Sequence, residues 1–187
     1  MIRIPLSELA AALGCPVTHP GAGHNGKEGA VESIVTDSRK VDFGALFAAL
    51  PGSQVDGHDF APAAVRLGAV ALLVQRQLDL AGERPEIRPV PQLVVPDVLQ
   101  ALGKLATLLR ERLDPVVVGI TGSNGKTTVK EMLASILRPA GEVLATQGNY
   151  NNELGVPLSL FGLEPRHRFA VLEMGASRAG DIAYLAA

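Results

Sequence analysis

"GITGSNGKTTVKEM", residues 119–132, follows the apolar run "PVVV" and leads into a segment with helical spacing. Strand, small-residue turn and helix in that order are what a phosphate chain needs. Its oxygens require several converging N–H donors, a cation and a backbone that can come close. Gly122 and Gly125 open the turn, the helix start supplies free N–H groups, Lys126 reaches β and γ phosphates, and the Thr127 hydroxyl suits Mg²⁺. The spacing departs from the standard phosphate loop. The position five residues before Gly125 is Ile120, and Gly119 lies one further back. A flexible turn that merely ends in Lys-Thr is the plain alternative; the strand and helix on either side favour an ATP site.

Downstream, "EVLAT" (142–146) and "FAVLEMG" (169–175) are strand candidates, with a short helix over 156–163 between them and another beginning at 181. The helix predicted over 126–138 presents Val129, Met132, Leu133, Ile136 and Leu137 as its apolar face. Alternating strands and helices imply right-handed crossovers and a parallel sheet, so this half reads as the opening of a doubly wound domain. About three strands are visible where such sheets usually hold more. "AGDIAYLAA" halts inside a helical pattern, which suggests the front part of a longer chain.

Upstream, residues 97–114 carry apolar side chains at 98, 99, 102, 105, 108, 109 and 113, a helical face. The first unit holds a helix capped by Ser7 and stopped by Gly14, strand candidates at 31–37, 45–50, 70–74 and 93–95, and a helix over 58–69 with Pro62 in its first turn. Residues 18–30 and 79–91 are Gly- and Pro-rich and read as loops. The predicted fold is α/β: a small N-terminal α/β substrate-binding domain over 1–96, then over 97–187 the first part of a doubly wound parallel-sheet domain of the phosphate-loop ATPase type, truncated.

A net charge of −2 gives no basic excess for nucleic acid or an anionic membrane. The longest apolar run, 69–74, is too short to cross a bilayer. The N-terminus lacks the pattern of a secretory leader, and a lone Cys15 fits a reducing compartment, so a cytoplasmic protein is expected. His19, His24 and His167 lack ligand-like spacing, which argues against a zinc site.

"GITGSNGKTT" resembles the ATP-binding turn of the Mur ligases and their folylpolyglutamate synthetase relatives. "TQGNYNNELGVPLSL" (146–160) and "VLEMGASRAGDI" (171–182) are similar to the branch that adds D-alanyl-D-alanine, and "TDSRKVDFGALFAALPGSQVDGHDF" (36–60) to the family segment that holds uridine diphosphate. The resemblance implies an ATP-dependent, Mg²⁺-requiring ligase of peptidoglycan precursor synthesis. It would join D-alanyl-D-alanine to UDP-N-acetylmuramoyl-tripeptide through an acyl phosphate, as a monomer in its full length. By position, Thr121, Gly122, Ser123, Asn124, Gly125, Lys126, Thr127 and Thr128 would bind ATP. Lys126 and Glu173 would be catalytic, and Thr127 and Glu173 would hold the metal. Asp37, Ser38, Arg39, Asp56, Gly57, His58, Asn149, Asn151 and Asn152 would bind substrate.

Each assignment has a competing structural reading. Glu173 could be a solvated strand-end acid, the three asparagines could cap a turn, Arg39 could form a surface ion pair, and His58 could simply start a helix. The family also uses a metal-binding His, a carbamylated Lys and a closing third domain that are not in these residues, so the 187-residue chain is expected not to turn over alone. A non-catalytic module that binds nucleotide or UDP-sugar peptide, and a ligase of another branch, remain open alternatives.

Overall fold

The computed structural model describes residues 3–18, 29–52, 54–80 and 89–186. They form two compact units, one running to Ala101 and the other starting at Leu102.

The first unit opens with β1 (Ile4–Pro5) and α1 (Leu6–Leu13). α1 starts two residues earlier than expected. Pro5 occupies the cap with its fixed φ of −56°, no side chain caps the helix, and the Leu6 N–H donates to Gly29 O, so Ser7 is simply an exposed helical residue. Gly14 ends the helix in the left-handed region at φ 65°. Next come β2 (Val17–Thr18), β3 (Ala30–Val31), β4 (Ser33–Val35), β5 (Ala45–Ala48), α2 (Ala61–Leu67), β6 (Ala71–Val74) and β7 (Gln92–Val94). The single strand expected over 31–37 is two pieces, because the Glu32 N–H turns aside to Gly44 O and a 3₁₀ turn begins at Ser38. Much of the two expected loops, 19–28 and 81–88 with His19 and His24, lies outside the described residues.

β1 and β3 form an antiparallel pair, and the main sheet has the order β2-β7-β6-β5-β4. Its β4 to β7 are parallel, with Ile34 beside Leu46, Leu46 beside Ala71 and Leu72 beside Gln92, while β2 runs antiparallel at the edge. Every residue of β5 and β6 is buried, as parallel strands covered on both faces require. Phe47, Leu72 and Val74 pack there with Ala61 and Ala64 of α2.

The second unit is reached along α3 (Val98–Leu113), whose buried stripe of Val98, Leu102, Leu105 and Leu109 matches the predicted face. β8 (Val116–Ile120), α4 (Lys126–Leu137), β9 (Glu142–Ala145), α5 (Gly155–Leu160), β10 (His167–Glu173) and α6 (Asp181–Ala186) follow. The sheet is parallel with order β8-β10-β9, so β10 inserts between the two earlier strands. α4 lies over β10 and β9. Its buried face is only partly the expected one: Lys130 and Ala134 are buried and Leu133 and Leu137 half-buried, whereas Val129, Met132 and Ile136 are 52, 60 and 69% exposed. A small residue lets the helix approach the strands closely, and that constraint outranks the most apolar stripe.

Candidate functional site

The phosphate turn occupies Thr121–Gly125, between the end of β8 and the first residue of α4. Gly122 and Gly125 have φ of 147° and 77°, where side-chain-bearing residues are strained, so both glycines serve the bend itself. Gly119 belongs to β8, paired with Leu172, which is why its spacing differs from the standard loop. All five turn residues are exposed. By helix geometry the first N–H groups of α4 have no acceptor within the helix, and the helix dipole adds positive potential there. Lys126 folds back so that its Nζ donates to Gly122 O at 2.8 Å, leaving the ammonium beside the turn.

Glu173 ends β10 next to this turn and is 4% exposed. Its Oε2 accepts from the Thr127 hydroxyl at 2.8 Å and its Oε1 from the Asn151 amide at 2.9 Å. Burial pushes its pKa up. The hydrogen bonds from Asn151 and Thr127 and the charges of Lys130 and Lys126 outweigh that and hold the carboxyl below its ordinary value. A buried carboxylate and a hydroxyl form a hard-oxygen pair at the mouth of the turn. No group of three His, Cys, Asp or Glu able to hold a metal occurs among the described residues. A carboxylate and a hydroxyl are donors of the kind Mg²⁺ takes, since it accepts one or two protein oxygens and completes its shell with water and phosphate.

The three asparagines separate. Asn151 reaches Glu173, and Gly175 N–H donates to its carbonyl at 2.7 Å. Asn152 accepts from Gly155 N–H at 2.8 Å and so caps α5, the plain reading weighed for it. Asn149 stands exposed in the preceding turn, its carbonyl accepting from Asn151 N–H. Two buried residues were missed in the sequence. Lys130, 2% exposed, donates to Thr146 O at 2.6 Å, and Thr146, 1% exposed, accepts the Glu173 N–H on its Oγ1 at 3.0 Å. The signal for Lys130 is its place one turn after Lys126 on the same helical face.

In the first unit the expected substrate residues follow the C-terminal ends of β4 and β5. Asp37 caps the 3₁₀ turn Ser38–Lys40 and accepts both Nε and Nη2 of Arg39, at 2.9 and 2.8 Å. Hydrogen bonds from the Arg39 side chain and backbone lower the Asp37 pKa to about 2. Asp56 accepts from the His58 backbone and ring, and from Arg76 at 3.0 Å, and these contacts depress its pKa further. His58 is buried. Its Nδ1 donates to Asp56 at 2.5 Å and its Nε2 accepts Gln75 N–H at 3.0 Å, so both ring nitrogens are used within the fold. The ring ties the Asp56 turn to the end of β6; Asp56 and Arg76, half-buried and exposed, face outward beside it. Gly57 has no room for a Cβ, which would come within 2.5 Å of Leu50 O.

The chain matches the Mur ligase middle domain over residues 120–187 and the catalytic domain of the Mur ligase family over residues 30–110. It is 42% identical to the UDP-N-acetylmuramoyl-tripeptide–D-alanyl-D-alanine ligase of Escherichia coli K12, across 98% of this chain and 37% of that protein. Among solved structures, MurF from Acinetobacter baumannii aligns with a TM-score of 0.86 at 36% identity, over 99% of this chain and 38% of its own. MurF ligase from Thermotoga maritima in complex with ADP aligns with a TM-score of 0.70 at 38% identity, over 82% and 34%. The chain thus spans less than two fifths of the length of these relatives.

Proposed function

Because the chain belongs to the Mur ligase family, we propose that it carries the uridine-diphosphate anchor and the ATP-phosphate site of a ligase that joins D-alanyl-D-alanine to UDP-N-acetylmuramoyl-tripeptide. In this reading residues 1–96 hold the UDP end of the tripeptide substrate, and residues 97–187 form the front of the ATP domain. The same reading makes this a cytoplasmic step of peptidoglycan precursor synthesis, carried out by a monomeric enzyme without nucleic acid or membrane as partner. The observation that carries it is the convergence of Thr127, Asn151 and Glu173 at the mouth of the Lys126 turn.

The terminal carboxylate of the tripeptide attacks the γ-phosphorus of ATP, releasing ADP and forming an acyl phosphate. The amine of D-alanyl-D-alanine then attacks the activated carbonyl, and phosphate leaves. Two anions must meet in the first step, so charge neutralisation dominates. Lys126 swings from Gly122 O onto the β and γ phosphates, and the N–H groups of residues 122–128 bind their oxygens. Thr127 and Glu173 would hold Mg²⁺, which when bound neutralises phosphoryl charge. Asn151 keeps the Glu173 carboxylate oriented. Ser38 and Arg39 bind the diphosphate, with Arg39 exchanging Asp37 for phosphate oxygens. Asn149 lines the substrate side of the nucleotide site.

Calorimetric titration of the chain with a non-hydrolysable ATP analogue plus Mg²⁺, and separately with UDP-N-acetylmuramoyl-tripeptide, tests the reading. Both should bind, and Lys126→Ala should abolish nucleotide binding while sparing the tripeptide. A chain that binds no nucleotide overturns the proposal. Binding of a folate polyglutamate in place of the UDP-tripeptide would move the protein to the other branch.

A further inference from the structure

Lys130 is a charged side chain where an apolar one would serve packing better. α4 sets Lys126, Lys130 and Ala134 one above another at four-residue intervals. Ala134 meets the sheet, and Lys130 is buried with it at 2% exposure. The ammonium donates to Thr146 O at 2.6 Å and pairs with Glu131 Oε1 at 3.0 Å. The Glu131 side chain is 59% exposed, so this pairing is largely screened by water. Burying an ammonium carries a desolvation penalty that an apolar side chain of similar volume would not. Packing gives no reason for a lysine here.

The geometry above it does. Thr146 ends the strand-to-turn passage beyond β9, and it is held from two sides. Its carbonyl takes the Lys130 ammonium, and its Oγ1 takes the N–H of Glu173. Glu173 in turn presents its carboxylate to Thr127 and Asn151. Lys130, Thr146 and Glu173 therefore form a continuous buried chain of contacts that ends at the hard-oxygen pair, and none of its members faces bulk water. The positive charge of Lys130 also contributes to keeping the Glu173 carboxyl ionised, ahead of the more exposed Lys126.

We infer that Lys130 is a positioning residue for Glu173: by anchoring Thr146 from beneath, it fixes the strand end from which the carboxylate reaches the divalent cation. This rests on the nucleotide reading above. Lys130 touches neither nucleotide nor cation; it acts through Thr146. Its removal should affect the metal-dependent part of nucleotide binding and spare the part made by the turn and Lys126.

The test compares the parent chain with Lys130→Met and Thr146→Val. Each is titrated with a non-hydrolysable ATP analogue, once with Mg²⁺ and once with EDTA, and each is melted. Lys130→Met leaves the buried Thr146 carbonyl without its donor, so it should melt somewhat below the parent, and the melt shows that it is folded at the temperature of the titration. Its affinity in EDTA should match the parent's. The tightening that Mg²⁺ brings should fall by about 10- to 100-fold, the range for losing a group that supports a metal ligand. Lys130→Arg, which keeps a cation, should recover part of it. Thr146→Val retains the carbonyl and removes only Oγ1; it should show the same metal-selective loss, and it decides the matter if Lys130→Met does not fold. Mg²⁺-dependent tightening equal to the parent's in either folded variant overturns the inference, as does a loss of melting temperature with binding unchanged. A parent that binds no nucleotide overturns the proposed function instead.

Discussion

Asp37 and Arg39 lie two residues apart and engage each other, with the Arg39 fork closed on the Asp37 carboxylate and the Arg39 N–H donating to it. The folded-state pKa of Asp37 is depressed, from 3.8 to about 2. A depressed carboxyl stabilises its turn above the unfolded value and loses that stabilisation as pH falls through the folded one. The Ser38–Lys40 turn should therefore stay closed at pH 4 and open between about 4 and 2, seen as a shift of the Arg39 amide resonance in NMR. The Arg39 side chain is 88% exposed, so about 1 M salt should move the midpoint back toward the ordinary value. A midpoint near 3.8 at low salt would show that the ion pair does not persist in solution. In the ligand-binding reading Arg39 turns from Asp37 to the diphosphate, so Arg39→Ala should weaken UDP-tripeptide binding in calorimetry.

α4 shows where the sequence was legible and where it was not. Its start was readable because the signal is local: Gly122, Gly125, Lys126 and Thr127 specify a turn and a helix N-terminus by their own chemistry. Its inward face was not, because β10 enters between β8 and β9 and so decides which side of the helix meets strands. The apolar stripe of Val129, Met132 and Ile136 won on periodicity, yet the sheet takes Lys130 and Ala134. The same limit applies to polar partners distant in sequence. His58 could be read as a ligand or a helix start; its burial depends on Gln75, 17 residues away. Thr127 and Glu173, 46 residues apart, were paired only through the family resemblance. The observed face makes a direct prediction. Ile136→Glu should change unfolding free energy by less than about 0.5 kcal/mol, as for an unconstrained surface site. Ala134→Leu should cost about 1–3 kcal/mol by overpacking. Urea denaturation of both variants checks it, and a reversed order would mean that the apolar stripe is the buried one. At the far side of the site, Gly155→Ala should also cost about 1–3 kcal/mol, because a Cβ there would lie 2.4 Å from the Tyr150 backbone, within the turn that carries Asn151.

Both units gather their candidate residues at the same place in their sheets, beyond the C-terminal ends of parallel strands. Asp37–Arg39 follow β4, Asp56–His58 follow β5 and Gln75–Arg76 follow β6, while the Lys126 turn follows β8, Thr146–Asn151 follow β9 and Glu173 ends β10. Parallel strands joined by crossovers send every outgoing loop to one edge, which is why that edge collects ligand groups. In the proposed reading the groups that would hold the ATP phosphates lie in the second unit and those that would hold the uridine diphosphate in the first, and this sets a prediction for the chain. A ligand at 100 times its Kd stabilises the state it binds by about 2.7 kcal/mol, enough to slow exchange of the amides it protects by about 100-fold. Hydrogen exchange with the ATP analogue and Mg²⁺ should slow amides at 121–128, 146–152 and 173–175 and leave those at 37–40 and 56–60 unchanged. UDP-N-acetylmuramoyl-tripeptide should do the reverse. Lys126→Ala should erase the first pattern and keep the second, which excludes a general stabilisation of the fold as the cause. Protection of 37–40 by nucleotide alone would mean that the nucleotide occupies the anchor, and the assignment of the two ligands to the two units would be wrong.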